Sequence, residues 1–303
     1  MAPTERTKTA LDECRMLMLG AQILLGFQLQ APFQNAFSEL SGAEKALELA
    51  VLCLMVLVIG LLITPSARHR IVERGEATPE IIGFISRLSM AALGPFALAL
   101  ALAVGIAAGR IGGARIGMLA GLLSGAGALG LWYGPLLLPK KAKAAMTTSD
   151  EKTPAGAKID FALTEARVVL PGAQALLGFQ LAIVLTSGFA ELPAADRALH
   201  GIALGLIALS TMLLMAPAAY HRIVYDGTVA EEFYRTASLF ILAATVFLAL
   251  GLTADIHVVA GRISGDAKVA NVAAAGTAVA LFGLWHAWPW LARARRISSS
   301  SAE

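Results

Sequence analysis

Predominantly apolar runs of about 18–23 residues recur eight times along the chain, separated by short polar stretches. They cover residues 16–37, 46–64, 88–108 and 116–138, then 168–190, 198–216, 237–254 and 269–290. At 1.5 Å of rise per residue, a helix of that length crosses a hydrocarbon layer about 30 Å thick. The pattern therefore predicts an all-α polytopic membrane protein with eight transmembrane helices. No small-residue cleavage site follows the first run, so it is expected to stay as a helix rather than be removed.

The eight runs are two sets of four. Glu13-Cys-Arg15 returns as Glu165-Ala-Arg167, and Gly20-Ala-Gln22 as Gly172-Ala-Gln174, always 152 residues later. The same offset carries Gly26, Gln28, Glu39, Pro65, His69 and Arg70 to Gly178, Gln180, Glu191, Pro217, His221 and Arg222. Between residues 13 and 75, 29 of 63 positions are identical to their counterparts. Shared hydrophobicity alone does not produce that agreement, so the chain is a tandem duplication. Near the end the offset slips by one, Leu131-Trp132 matching Leu284-Trp285. The domain plan is a first repeat at 1–138, a cytoplasmic linker at 139–164, a second repeat at 165–292 and a basic tail at 293–303.

Composition sharpens this picture. The chain is 57% hydrophobic and 15% charged, with a mean hydropathy of +0.70. Soluble domains carry about 25% charged residues. A net charge of +3 is far below the footprint of a nucleic-acid binder, and the bilayer is the implied partner. Of 24 Lys and Arg, eighteen lie in the N-terminus, the second and sixth connections, the linker and the C-terminus. The positive-inside rule then places both termini in the cytoplasm of a cell with the protein in its inner or plasma membrane. An even number of spans per copy inserts both copies the same way up, giving parallel repeats about a pseudo-two-fold axis along the membrane normal.

Polar residues inside a membrane are functional candidates by default. Gln22, Gly26, Gln30 and Gln34 form one stripe on the first helix, and Gln28 faces another neighbour; Gln174 and Gln180 repeat two of them. Gln22, Gln28, Gln30, Gln174 and Gln180 read either as the lining of a solute path or as hydrogen-bonded glue between helices. A second constellation gathers at the cytoplasmic helix ends. Glu13, Arg15, His69 and Arg70 can meet there, and Glu165, Arg167, His221 and Arg222 repeat the set, as a titrating gate or an ion-pair latch. Gly117, Gly121 and Gly125 give the fourth helix a flat packing face, matched more weakly at Val269, Ala273 and Thr277. No carboxylate lies mid-span: Glu48 and Asp255 sit near span ends, where His200 and His286 also read as surface residues. Cys14 and Cys53 read as small apolar fillers. No zinc spacing, phosphate loop or nucleophile elbow occurs, so nothing points to a metal, a cofactor or an enzyme.

The strings Glu165-Ala-Arg167, Leu170-Pro-Gly-Ala-Gln174 and Pro217-Ala-Ala-Tyr-His-Arg222 resemble an uncharacterised bacterial family of small four-helix membrane proteins. Some of its members bear a sodium/proton antiporter name. The resemblance implies a single-repeat ancestor and hence an intramolecular pseudo-dimer, or a homo-oligomer, with any further protein partner unspecified. Two functions stay open: an ion or small-solute transporter or channel with a polar site between the repeats, and a non-transporting scaffold or regulator with a dry centre.

Overall fold

The computed structural model describes residues 3–134, 154–223 and 231–300, and all regular structure in them is helical. The first copy comprises α1 (Pro3–Gln30), two 3-10 turns at Ala31–Phe33 and Asn35–Glu39, α2 (Gly42–Ile71), α3 (Pro79–Gly112) and α4 (Ala114–Tyr133). The second comprises α5 (Ala155–Ile183), the short α6 (Ser187–Ala190), α7 (Ala194–Ile223), α8 (Glu231–Ser264), α9 (Ala267–Phe282) and α10 (Trp288–Ser300). A π turn at Gly283–Ala287 joins the last two. Among the described residues seven stretches are long and apolar enough to cross a membrane; the apolar part of the first helix, Leu17–Phe33, is shorter.

Local chemistry sets the helix ends. Ser41 accepts from the Glu44 amide while Glu44 reaches back to Ser41, a reciprocal cap that starts α2. Thr78 caps α3, with Pro79 in the first turn where a missing N–H costs nothing. The duplication is visible in these limits: α2 and α7, and likewise α3 and α8, start and stop at counterpart residues.

The slip in the repeat has a physical location. α3 passes into α4 through Gly113 alone, at φ 88°. The matching corner uses Gly265, at φ 66°, followed by Asp266, whose side chain caps α9. That corner is one residue longer, so counterparts beyond it lie 153 apart. The partners of Gly117, Gly121 and Gly125 are therefore Ala270, Ala274 and Ala278, not Val269, Ala273 and Thr277. The contacts agree, because a Cβ on Gly109 would meet Gly117 at 3.7 Å and one on Gly261 would meet Ala270 at 3.5 Å.

Close approach is tightest at α3–α4. A Cβ on Gly117 would lie 2.6 Å from Gly105 O and 2.8 Å from Gly109 Cα, so the two helices would have to part. Gly117→Ala is expected to lower stability by about 1–3 kcal/mol, read as an earlier unfolding midpoint in detergent. Gly261→Ala, whose new methyl finds room, should leave the midpoint unchanged or raise it, since alanine is the better helix former.

The two copies share one core. Met18 and Leu25 of α1, Met55 and Ile59 of α2, Leu248 and Leu252 of α8, and Trp285 are all fully buried in it. α1 packs along α5, and two contacts there join residues to their own counterparts. The rings of Phe27 and Phe179 lie 4.9 Å apart, and Ser187 Oγ donates to Asn35 Oδ1 at 2.6 Å. Counterparts touch each other only where a two-fold axis passes between them. The copies differ at their last helices. Trp285 crosses to α2 and donates to Gly60 O at 2.9 Å, whereas its counterpart Trp132 stacks on Phe96 within its own copy.

Candidate functional site

Two buried polar clusters stand at opposite ends of the bundle. The first lies at the end that holds the start of α5 and the close of α2. Glu165 is 1% exposed and forms ion pairs with His69 Nδ1 at 2.5 Å and Arg70 Nε at 2.6 Å. Arg70 donates to Ser238 Oγ at 3.0 Å and to Ala162 O at 3.2 Å. His69 Nε2 faces Glu76 O at 3.3 Å, and Phe161 sets its ring edge against the imidazole. Both ring nitrogens thus face acceptor atoms.

This cluster crosses the repeats. Sequence spacing groups His69 and Arg70 with Glu13 and Arg15 of the same copy, but their carboxylate is Glu165 of the other. Arg15 and Arg167 are exposed outside it. The side chains of Glu13, His221 and Arg222 lie outside the described residues.

The second cluster occupies the opposite end. Asp255 of α8 is 1% exposed and takes His200 Nδ1 of α7 at 3.1 Å. Gln180 of α5 donates its amide to the other carboxylate oxygen, and its backbone carbonyl faces His200 Nε2 at 3.3 Å. His200 again stands between two acceptors. It is 1% exposed, so it is an interior residue and not the surface histidine its place near a span end implies. Asp255 also lies deeper than its sequence position suggests. Arg262, paired with the exposed Glu191 at 2.8 Å, marks the surface, and Asp255 is seven residues, about 10 Å, below it.

The glutamines do not meet in one place. Gln22 is fully buried against Gly172, with neither amide atom partnered. Gln28 is 8% exposed, and its Oε1 has no partner. Gln30 closes α1, half-buried, while Gln174 is exposed with only Met215 Sδ beside it at 4.0 Å. Gln180 belongs to the Asp255 cluster. A groove of about 700 Å³ runs elsewhere, between α2, α3 and α4, lined by apolar residues such as Leu47, Leu98, Met118 and Leu122. Among the described residues no group of three His, Cys, Asp or Glu side chains could hold a metal ion.

The His200–Asp255 pair is what sequence reasoning missed. A signal was available: at these positions the two copies differ in ionisable residues, Glu48 standing for His200 and Ala103 for Asp255, while Gln28 and Gln180 agree. Comparison with known proteins gives one match. The model of a family of unknown function (DUF6328) fits residues 5–135 and again 157–289. No curated protein and no solved structure matches.

Proposed function

We propose, for a chain that belongs in both its halves to the family of unknown function DUF6328, that it is a membrane transporter exchanging protons at Asp255 and His200, which Gln180 holds in place. The observation that carries this reading is an ionisable pair sealed about 10 Å beneath the surface residue Arg262. Such pairs are expensive in a bilayer and mark ion or proton pathways. The carboxylate and the imidazole can pass a proton between Oδ1 and Nδ1, and the Gln180 amide holds the carboxylate in place meanwhile. The substrate is an ion or small solute. In this reading α1 completes eight spans, both termini face the cytoplasm of a bacterial inner membrane, and the copies form an intramolecular pseudo-dimer.

A scaffold is the second reading. The α1–α5 seam favours it, since Leu25, Leu29, Ala173 and Leu176 pack there fully buried. Flux into proteoliposomes decides between them, with protons, sodium, potassium and chloride each followed beside Asp255→Asn. Proton movement that falls at least tenfold in the folded variant supports the transporter. Absence of every flux from the unsubstituted protein favours the scaffold.

A further inference from the structure

Repeat symmetry takes the Gln180–Asp255–His200 cluster to Gln28, Ala103 and Glu48 in the first copy. The amide is kept, but the carboxylate has changed helix. It stands on α2, where the second copy has its histidine, and alanine stands where the second copy has its carboxylate. No cation compensates it: among the described residues Glu48 is half-buried and makes no ion pair, and one of its oxygens, Oε2, is buried without a partner. Gln28, more than nine-tenths buried, has an Oε1 in the same condition.

The charged groups nearby are engaged elsewhere. On α2, Glu44 is held by Ser41, and Lys45 reaches Ser38 O at 3.4 Å. On α3, Arg110 pairs with Glu39 at 2.7 Å. The charged residues of α1 all lie at its other end, at Arg15 and before. Two acceptor oxygens with no donor are costly to bury. In the second copy His200, the counterpart of Glu48, lies against Gln180 through that residue's backbone carbonyl, and a neutral carboxyl O–H in the matching place can donate to an amide oxygen. A hard metal ion asks for about six oxygen ligands, far more than this pair offers.

We propose that Glu48 is a proton-binding carboxyl group that donates to Gln28 Oε1, forming a second exchange site in the first repeat. Uptake adds one proton to the carboxylate from the water beside the α1–α2 connection, and release returns it there; no other bond changes. The site deepens the transporter reading and rests on it for its role, though not for the hydrogen bond itself.

The test is covalent labelling with dicyclohexylcarbodiimide. This reagent adds to a protonated carboxyl group, whose proton moves to a reagent nitrogen, and in apolar surroundings the adduct rearranges to a stable acylurea. The full chain in liposomes is labelled between pH 5 and 9 and read by peptide mass spectrometry. At pH 7.5, Glu48 is expected to be labelled at least tenfold more than Glu44, one turn away on the same helix. Glu48→Gln, whose amide N–H replaces the carboxyl O–H, should keep the unfolding midpoint and lose the adduct. Labelling at Glu48 no stronger than at Glu44 overturns the proposal, whatever the flux measurement gives. Strong labelling without any flux supports the proton site and overturns only the transporter. A swap tests the symmetry argument separately: Ala103→Asp alone should lower the midpoint, and adding Glu48→His should restore it. Failure of the second change to rescue the first overturns the assigned geometry.

Discussion

Replacing Glu165 by alanine is expected to lower stability by about 3–5 kcal/mol, the loss that follows when one partner of a buried ion pair is removed. Arg70 cannot shed its proton, and its side chain is 2% exposed, so the variant leaves a full positive charge in the interior. Ser238 and Ala162 O still accept from it, but neither carries charge. Unfolding in mixed micelles, followed by circular dichroism, gives the number. Glu191→Ala is the control, because its pair with Arg262 is exposed and should lose no more than about 1 kcal/mol. A triple replacement of His69, Arg70 and Glu165 by Leu, Met and Leu should recover most of the loss, since buried apolar packing often matches a buried ion pair. Equal effects from Glu165→Ala and Glu191→Ala would show that the cluster does not lock the copies together.

His200→Ala should be nearly as damaging, and its comparison with Asp255→Asn is the informative part. Without His200 the Asp255 carboxylate keeps only the Gln180 amide, and the loss is expected at about 3–5 kcal/mol. Asp255→Asn instead leaves a histidine that can be neutral, so about 1–2 kcal/mol is expected, near the value of one buried hydrogen bond. The variants should therefore rank His200→Ala well above Asp255→Asn in stability loss, yet both should abolish proton flux. Equal stability losses would mean that the pair is not held as separated charges. Retained flux in the folded Asp255→Asn variant would remove Asp255 from any proton path.

Much of the architecture could be read from the residues. The apolar runs and the repeated Gly-Ala-Gln and His-Arg strings need only periodicity and an offset, which the matched ends of α2 and α7 reproduce. The cross-copy pairing of His69 with Glu165 was beyond reach, because an offset says which residues correspond and not which ones touch. Within one copy the helix ends look adjacent, while the α1–α5 seam brings the other copy's Glu165 against His69 and Arg70. The burial of Asp255 was out of reach for another reason. The apolar run stops at residue 254, which makes Asp255 look like a span end, whereas the helix continues to Ser264 and reaches the surface at Arg262.

The contacts of Phe27 with Phe179, and of Asn35 with Ser187, have a consequence for how such a chain can change. In a dimer of identical subunits, a residue on the two-fold axis meets its own copy, so one substitution alters both sides of the contact together. An asparagine there must tolerate an asparagine, and every drift is taken twice. Once the halves share one chain, each side varies alone, and a donor can settle opposite an acceptor. Asn35 facing Ser187 is a pair that no symmetric dimer could contain. The same freedom let the carboxylate stand on α2 in one half and on α8 in the other, at Glu48 and Asp255, which are not counterparts of each other.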